Sequence, residues 1–424
     1  MLRPLPPEAV AEQVLDGDDL IVPLANGEPV SLLDAVEAAA AGGRLRDVRV
    51  HQMHALHDRP SIRGELAGRV GHVSYFLSHI TRPAFLAGQC ELVPNHFSEV
   101  PLLLRSCTKT SMVLAASSPM DAHGYFSLGT NADYVAGFIG RVPFWLEANH
   151  QMPRSFGRNQ VHVSQVLGWT EVDRPLVEVP PVPAGAVDRR IAELVAERVP
   201  NGACLQVGIG GIPNAMLDLL ADHRDLGLHT ELLSDGVIDL VDAGALTGTE
   251  KKLSPNKMVA TFALGTRRLY DFLHENAAIE LLPVEYVNSP RTVAREPNFV
   301  SVNATLEVDF LGQCASETLA GRYYSSSGGQ SDFARGAMYS EGGQGFIVLH
   351  STTSDGRISR IRSVLTPGSA VTTNKNTVDH VVTEWGVAHL RGRSIRERTR
   401  LLIGIAHPDF RDALSAEAKA MGYL

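Results

Sequence analysis

Short apolar runs alternate along most of the chain with stretches of helical spacing. In the first half, VRVHQM at 48–53, SMVLAASS at 111–118 and QVHVSQVL at 160–167 read as strands. In the second half the same holds for ACLQVG at 203–208, LLSDG at 232–236, MVATFAL at 258–264 and ATLEVDFLG at 304–312. GFIVLHST at 345–352, SRIRSVL at 359–365 and SAVTT at 369–373 extend the series. Runs this short, bounded by turn residues, are strand signals. Val187, Ile191, Leu194 and Val195 recur at helical spacing, and Pro200-Asn201-Gly202 ends that helix. Asn214 to Leu220 and RLYDFLHEN at 268–276 carry further helix patterns. The alternation predicts an α/β protein, and the natural arrangement is two open α/β domains facing each other.

At 424 residues the chain exceeds what one core usually organises. The segment LVEVPPVPAG at 176–185 places Pro180, Pro181 and Pro183 together, favouring an extended, semi-rigid connection. The expected domains are therefore 1–183 and 184–424. Apolar residues make up 44% and charged residues 20%, which excludes wholesale disorder. The net charge of −9, without a basic block, argues against a nucleic-acid partner, and no basic amphipathic stretch favours a membrane surface. Cys90, Cys107, Cys204 and Cys314 lack CxxC spacing and read as reduced, mostly buried thiols. The N-terminal MLRPLPPEAVAEQVLDGDD has no apolar core and carries acids early, so a cytoplasmic location is expected.

Three segments carry chemistry. Gly208-Ile209-Gly210-Gly211-Ile212-Pro213-Asn214 lies between a strand and a helix. Glycines there let backbone approach a ligand, and a helix N-terminus suits phosphate or an oxyanion; a tight turn with no ligand is the plainer alternative. Glu231 follows 23 positions after Gly208, near the spacing of a ribose-binding acid, but Pro213 stands where a nicotinamide-binding turn needs its third glycine. Glu231 itself, at the edge of a short apolar strand, can be a base, metal ligand, nucleophile or surface carboxylate. Ser325-Ser326-Ser327-Gly328-Gly329-Gln330-Ser331-Asp332-Phe333 makes a flexible loop with free backbone donors, and Asp332-Phe333 enters a helix. It is either a linker or a second ligand-facing loop.

Together, GIGGIPNAM, HTELLSDGVIDL, GTRRLYDF, PVEYVN, EVDFLGQ, SGGQSDFARGA and VVTEWGVAHLRG resemble the acetyl-CoA hydrolase/4-hydroxybutyrate CoA-transferase branch of the class I coenzyme A transferases. SSPMDAHGYFSLG at 117–129 and EANHQMPRSFG at 147–157 resemble it too, and Trp385 departs from an expected Tyr. The resemblance implies two α/β domains of the coenzyme A transferase type with the active site in the cleft between them. It assigns the nucleophile to Glu231, a coenzyme A and oxyanion site to Gly208, Ile209, Gly210, Gly211 and Ile212, and further coenzyme A contacts to Gly328, Gly329 and Gln330. The implied activity is coenzyme A transfer between short-chain acids, with 4-hydroxybutyrate or butyrate and acetate as the leading pair. The implied route is ping-pong through a glutamyl-CoA thioester, with the glutamate ionised at pH 7 because its reference pKa is about 4.3. Acetyl-CoA hydrolysis through the same glutamate is the alternative, and an NAD-dependent dehydrogenase a distant one. Coenzyme A and acyl-CoA enter as substrates, no cofactor is permanently bound, no metal is expected, and a homodimer or homotetramer is implied.

Other polar residues carry weaker signals. His51, His54 and His57 lie three apart, without the cysteine or carboxylate set that completes a zinc site; surface or cleft positions suit them. Asn95 and His96 are expected to be structural, with reach to an acyl group as the alternative. His123 marks a turn. Asn149 and Arg154 are candidates for a carboxylate substrate, and Asn303 is either a cleft amide or a cap. Met258 and Phe262 are expected on one face of a strand in the core, and Trp385 and His389 against a terminal helix.

Overall fold

The computed structural model describes residues 3–424. Two compact units divide the described residues: 3–180 with 259–287, and 181–258 with 288–424. The proline segment marks the first crossing close to the expected 183/184 division. The segment 259–287 groups with the first unit, whereas a single cut at 183/184 leaves it with the C-terminal residues. Its backbone explains the assignment: Thr261 O accepts from Ala132 N and Asp133 N, each at 2.9 Å, and Leu281 O accepts from Arg158 N at 3.0 Å.

The first unit is built on seven parallel strands, β1 Asp19–Val22, β2 Val48–Gln52, β3 Val70–Ser74, β4 Glu91–Leu92, β5 Met112–Ser117, β6 Phe144–Asn149 and β7 Val166–Val172. Their order is β4-β3-β2-β1-β5-β6-β7. Every residue of β1, β5 and β6 is buried, as expected for a parallel sheet covered on both faces. Helix α1, Val30–Ala41, packs Leu32, Leu33 and Val36 into a core with Leu20, Val22, Val48, Val50, Leu114 and Trp145. The expected strand at 160–167 is broken by a 3-10 turn at Val163–Gln165, which His162 caps.

The second unit's sheet comprises β8 Cys204–Val207, β9 Gly227–Leu228, β10 Phe299–Ala304, β11 Gln344–Val348, β12 His380–Thr383 and β13 Gly386–His389. The order is β9-β8-β10-β11-β12-β13, with only β13 antiparallel. Helices α2 Ala186–Ala196, α3 Gly211–Leu219, α4 Gly236–Asp242, α5 Gln330–Tyr339, α6 Ile395–Ile405 and α7 Pro408–Ala420 belong to this unit. Phe310, Ile347, Leu349, Val381, Leu390, Leu402 and Leu414 share one buried core. In both sheets the strand order reverses beside the first strand, and ligands of open α/β sheets bind beyond the carboxyl ends at such a point.

Several expected strands shrink. The 304–312 run contributes only Glu307–Asp309, the long strand lying just upstream, and 359–365 contributes Ile361–Arg362. The 369–373 run is irregular because the Glu307 carboxylate captures Thr366 N at 3.0 Å, Thr366 Oγ1 at 2.8 Å and Ser369 Oγ at 2.7 Å, folding that segment back around Pro367. MVATFAL splits into Met258–Ala260 and Phe262–Ala263; Met258 and Phe262 are both buried but not on one continuous strand. All four cysteines are free thiols, three buried and Cys107 exposed. Among the described residues no helix is long and apolar enough to cross a membrane.

Candidate active site

The apolar run ACLQVG forms β8, and its carboxyl end opens directly into the glycine turn. Gly210 sits at φ 126°, a conformation that L side chains rarely adopt. Helix α3 begins at Gly211, earlier than the expected Asn214, and Pro213 is tolerated because first-turn N–H groups have no partner within a helix. Gly211 also has no room for a side chain: a Cβ there would lie 2.6 Å from Asp188 Oδ2. Ile209 is exposed at the tip of the turn. At the next strand end along, Asn303 Nδ2 donates to Gln206 Oε1 at 3.0 Å, so Asn303 is a cross-strand amide, not a cap.

Glu231 is placed by register. Gly227 pairs with Cys204 and Leu228 with Leu205, and His229 N continues the ladder to Leu205 O at 3.0 Å. The buried Thr230 hydroxyl then donates to Val207 O at 3.1 Å and accepts from Val207 N at 3.4 Å, standing in for ladder bonds. Continued in step, position 231 falls opposite Gly208. The carboxylate therefore emerges at the carboxyl edge, next to the glycine turn.

Two further segments of the same unit close on it. Asn288 Nδ2 donates to Glu231 Oε2 at 2.7 Å, and the Gly329 N–H donates to the same carboxylate. A Cβ on Gly329 would overlap both Glu231 Oε2 and Asn288 Nδ2, so glycine is required there by contact and not by backbone angle. Burial raises the Glu231 carboxyl to about 7; the Asn288 hydrogen bond opposes the rise, the negative Asp332 adds to it, and the Gly329 N–H opposes it. The residue as a whole is only half-buried. The expectation of a fully ionised glutamate at pH 7 is thus corrected: desolvation without a cation keeps it near half-protonated.

Glu231, the glycine turn, Gly328 and Gly329 all belong to the second unit. Gln330, the first residue of α5, is buried, and its Nε2 donates to Thr373 Oγ1 at 3.1 Å. Asn288 is the residue that sequence reasoning missed. It ends the PVEYVN segment, where the chain re-enters the second unit, and nothing in its local pattern points to position 231.

The N-terminal candidates are engaged in their own unit. Asn95 Nδ2 donates to Tyr75 O at 2.8 Å, Asn149 exchanges hydrogen bonds with the Arg174 backbone, and Arg154 pairs with Asp121 at 2.6 Å. His96 precedes a 3-10 turn at Phe97–Glu99, and His123 sits in a turn whose N–H donates to Asp121. His51 corrects the surface expectation: it is buried between Asp19 and Tyr75. The metal-ligand grouping among the described residues is Asp379, His380 and His389. The two rings stack in parallel, 15° apart with centroids 4.6 Å apart, so their in-plane lone pairs do not converge on one ion; Asp379 instead pairs with both, at 3.0 and 3.2 Å. Trp385 meets His407, which caps α7, edge-on at 5.3 Å, whereas His389 ends β13 with its side chain half exposed.

A carboxylate at a strand end, held by an amide and a backbone N–H beside a glycine turn, is the candidate site of this α/β chain. Residues 5–179 match the acetyl-CoA hydrolase/transferase N-terminal domain, and residues 265–418 the corresponding C-terminal domain. The chain is 45% identical to succinyl-CoA:cyclohexane-1-carboxylate CoA transferase of Geobacter metallireducens, over 98% of this chain and 94% of the relative. It is 39% identical to 4-hydroxybutyrate coenzyme A transferase of Clostridium kluyveri, over 93% of this chain and 92% of that one. The crystal structure of RipA from Yersinia pestis superposes with a TM-score of 0.94 at 37% identity, covering 99% of this chain and 98% of that chain. The chain therefore belongs to the acetyl-CoA hydrolase/transferase family and is an enzyme of the CoA-transferase class. That membership leaves the nicotinamide reading of the glycine turn without support.

Proposed function

We propose that this enzyme moves coenzyme A between short-chain acids through a covalent Glu231 intermediate, with 4-hydroxybutyrate or butyrate and acetate as the leading pair. The observation that carries the reading is the Glu231 carboxylate held against Asn288 and Gly329, with no ion pair to a cation among the described residues. One oxygen of the ionised carboxylate attacks the thioester carbonyl; the C–S bond breaks, giving a mixed anhydride and coenzyme A thiolate. The thiolate attacks the Glu231 side-chain carbonyl carbon, the C–O bond breaks, and the first acid leaves as its carboxylate. A second carboxylate then reverses both steps on the glutamyl thioester. No step consumes water, so the thioester's free energy is kept.

The Gly329 N–H already touches the Glu231 oxygen, where negative charge collects when the thiolate adds to that carbonyl. One such donor is typically worth about 3–4 kcal/mol to the barrier. The raised pKa serves the same chemistry, because a more basic carboxylate is a better nucleophile once ionised. Coenzyme A acts here as substrate, not as a resident group.

The test is incubation with butyryl-CoA followed by digestion and mass spectrometry. The peptide containing Glu231 should gain coenzyme A, and the adduct should be absent from Glu231→Gln. An adduct on another peptide, or a Glu231→Gln enzyme with undiminished transfer, would sink the reading. Acceptors should include acetate, succinate and cyclohexane-1-carboxylate, the last two prompted by the Geobacter relative's name. Thiol release at equal rates with and without acceptor would indicate a hydrolase using the same residue.

A further inference from the structure

Five parallel strand ends line the carboxyl edge of the second unit, in the order β9, β8, β10, β11, β12. Glu231 follows β9 at one end of that row. At the other end, the turn between β12 and β13 presents Trp385, 44% exposed. An exposed indole is ordinarily free to move, but this one is fastened. Its Nε1 donates to Ser351 Oγ at 3.2 Å, and His407 meets the ring edge-on at 5.3 Å. Ser351 follows β11, and Glu384 secures it by accepting from its N at 3.0 Å and its Oγ at 2.5 Å.

One guanidinium group lies by the ring, and a second lies within the field of Glu384, the residue before it. Arg411 of α7 lies 5.9 Å from the Trp385 ring centroid. Arg360 donates its backbone N–H to Ser351 O at 2.8 Å and keeps a half-buried side chain within the field of Glu384. A fixed, exposed aromatic face with cations nearby is the chemistry that holds a nucleobase with phosphates attached.

The distances suit one molecule reaching both ends. Adjacent strands lie about 4.8 Å apart, so the four steps from β9 to β12 span about 19 Å. In coenzyme A about thirteen bonds separate sulfur from the first phosphorus. At the roughly 3.5 Å per three bonds of an extended chain, that arm covers about 15 Å. With sulfur at Glu231 and the arm along the edge, the phosphates fall near Arg360 and Arg411, and the adenine one step further.

We propose that Trp385, Arg360 and Arg411 form the seat for the adenosine diphosphate end of coenzyme A. The inference rests on Glu231 as the site where the thioester reacts. It assigns a role to the one position in VVTEWGVAHLRG that departs from the expected tyrosine; either aromatic ring can serve as a stacking surface.

The experiment compares butyryl-CoA with S-butyryl-pantetheine, which lacks the nucleotide, in wild type, Trp385→Ala and Trp385→Phe. Trp385→Ala should raise KM for butyryl-CoA about tenfold, the scale of one stacked base, at unchanged kcat. It should leave the kinetics of the pantetheine thioester unaltered, and Trp385→Phe should restore KM for butyryl-CoA to within about twofold. Adenosine 3′,5′-diphosphate should compete with butyryl-CoA in wild type and about tenfold less well in Trp385→Ala. Equal losses on both thioesters would mark a merely structural ring and overturn the proposal, as would an unchanged KM or a nucleotide that binds without competing. If the Glu231 adduct forms normally while Trp385→Ala changes nothing, this inference alone fails; if no adduct forms in any variant, the underlying reading fails instead.

Discussion

Two glutamates, Glu28 fully buried and Glu231 half-buried, show how the two units use one kind of side chain to opposite ends. Glu28, in the loop after β1, accepts from Arg59 Nε at 2.8 Å and Gln52 Nε2 at 3.1 Å, with His57 Nδ1 at 3.3 Å. Burial alone would raise its carboxyl, but the His57 contact and the Arg59 charge outweigh it and hold the pKa at about 2. Glu231, in the loop after β9, has an amide and a backbone N–H in place of a guanidinium, and its carboxyl stands at about 7. Both occupy loops at the carboxyl edge of a parallel sheet. The counter-charge makes the difference: a paired carboxylate is structural and inert, while an unpaired desolvated one retains its basicity.

The contrast breaks most visibly at Gly329. A methyl group there must displace Glu231 or Asn288, so Gly329→Ala should lower kcat about a thousandfold, measured by steady-state transfer, with the fold intact by circular dichroism. Removing the cation from the other glutamate should strike stability and spare chemistry. Arg59→Met takes the permanent cation from buried Glu28, leaving His57 and Gln52, and should cost about 3 kcal/mol in denaturant titration, without moving the pH midpoint of kcat. Because the folded-state pKa of Glu28 is lowered, its stabilising contribution is present above its ordinary value near 4.5 and fades as pH falls toward 2.

The smallest effect sharpens the comparison by titration. In the proposed mechanism only ionised Glu231 attacks, so kcat/KM should rise with pH through a midpoint of about 7 and be about tenfold lower at pH 6 than at pH 8. The sign for stability is opposite to that of Glu28. A raised folded-state pKa favours the folded protein below the ordinary value, and that contribution is lost as pH climbs through 7, so Glu231→Gln should gain stability relative to wild type at pH 8. A flat pH–rate profile, or a midpoint near 4.5, would remove the asymmetry between the two glutamates.

The apolar runs VRVHQM, SMVLAASS, ACLQVG and GFIVLHST were legible as strands because a strand buried on both faces advertises itself by continuous hydrophobicity. SAVTT misled because Glu307, a distant carboxylate, holds Thr366 just before it and Ser369 at its start through hydrogen bonds that no local pattern encodes. At the site, the glycine turn and the glutamate stood out by composition and by likeness to a family. Asn288 did not, since its importance lies in a contact with a residue 57 positions earlier. The excursion at 259–287 was hidden for the same reason: a segment's loyalty to one unit is written in backbone bonds across more than a hundred residues.

The strand that leads into Glu231 is only two residues long, and a threonine hydroxyl completes its ladder. Side chains alternate sides with every position of an extended segment. Inserting or deleting one residue between Gly227 and Glu231 would therefore send the acid to the opposite surface of the sheet, away from Asn288 and Gly329. The number of residues in this stretch is as constrained as their identity, because the pairing of Gly227 and Leu228 with Cys204 and Leu205 sets where the count begins.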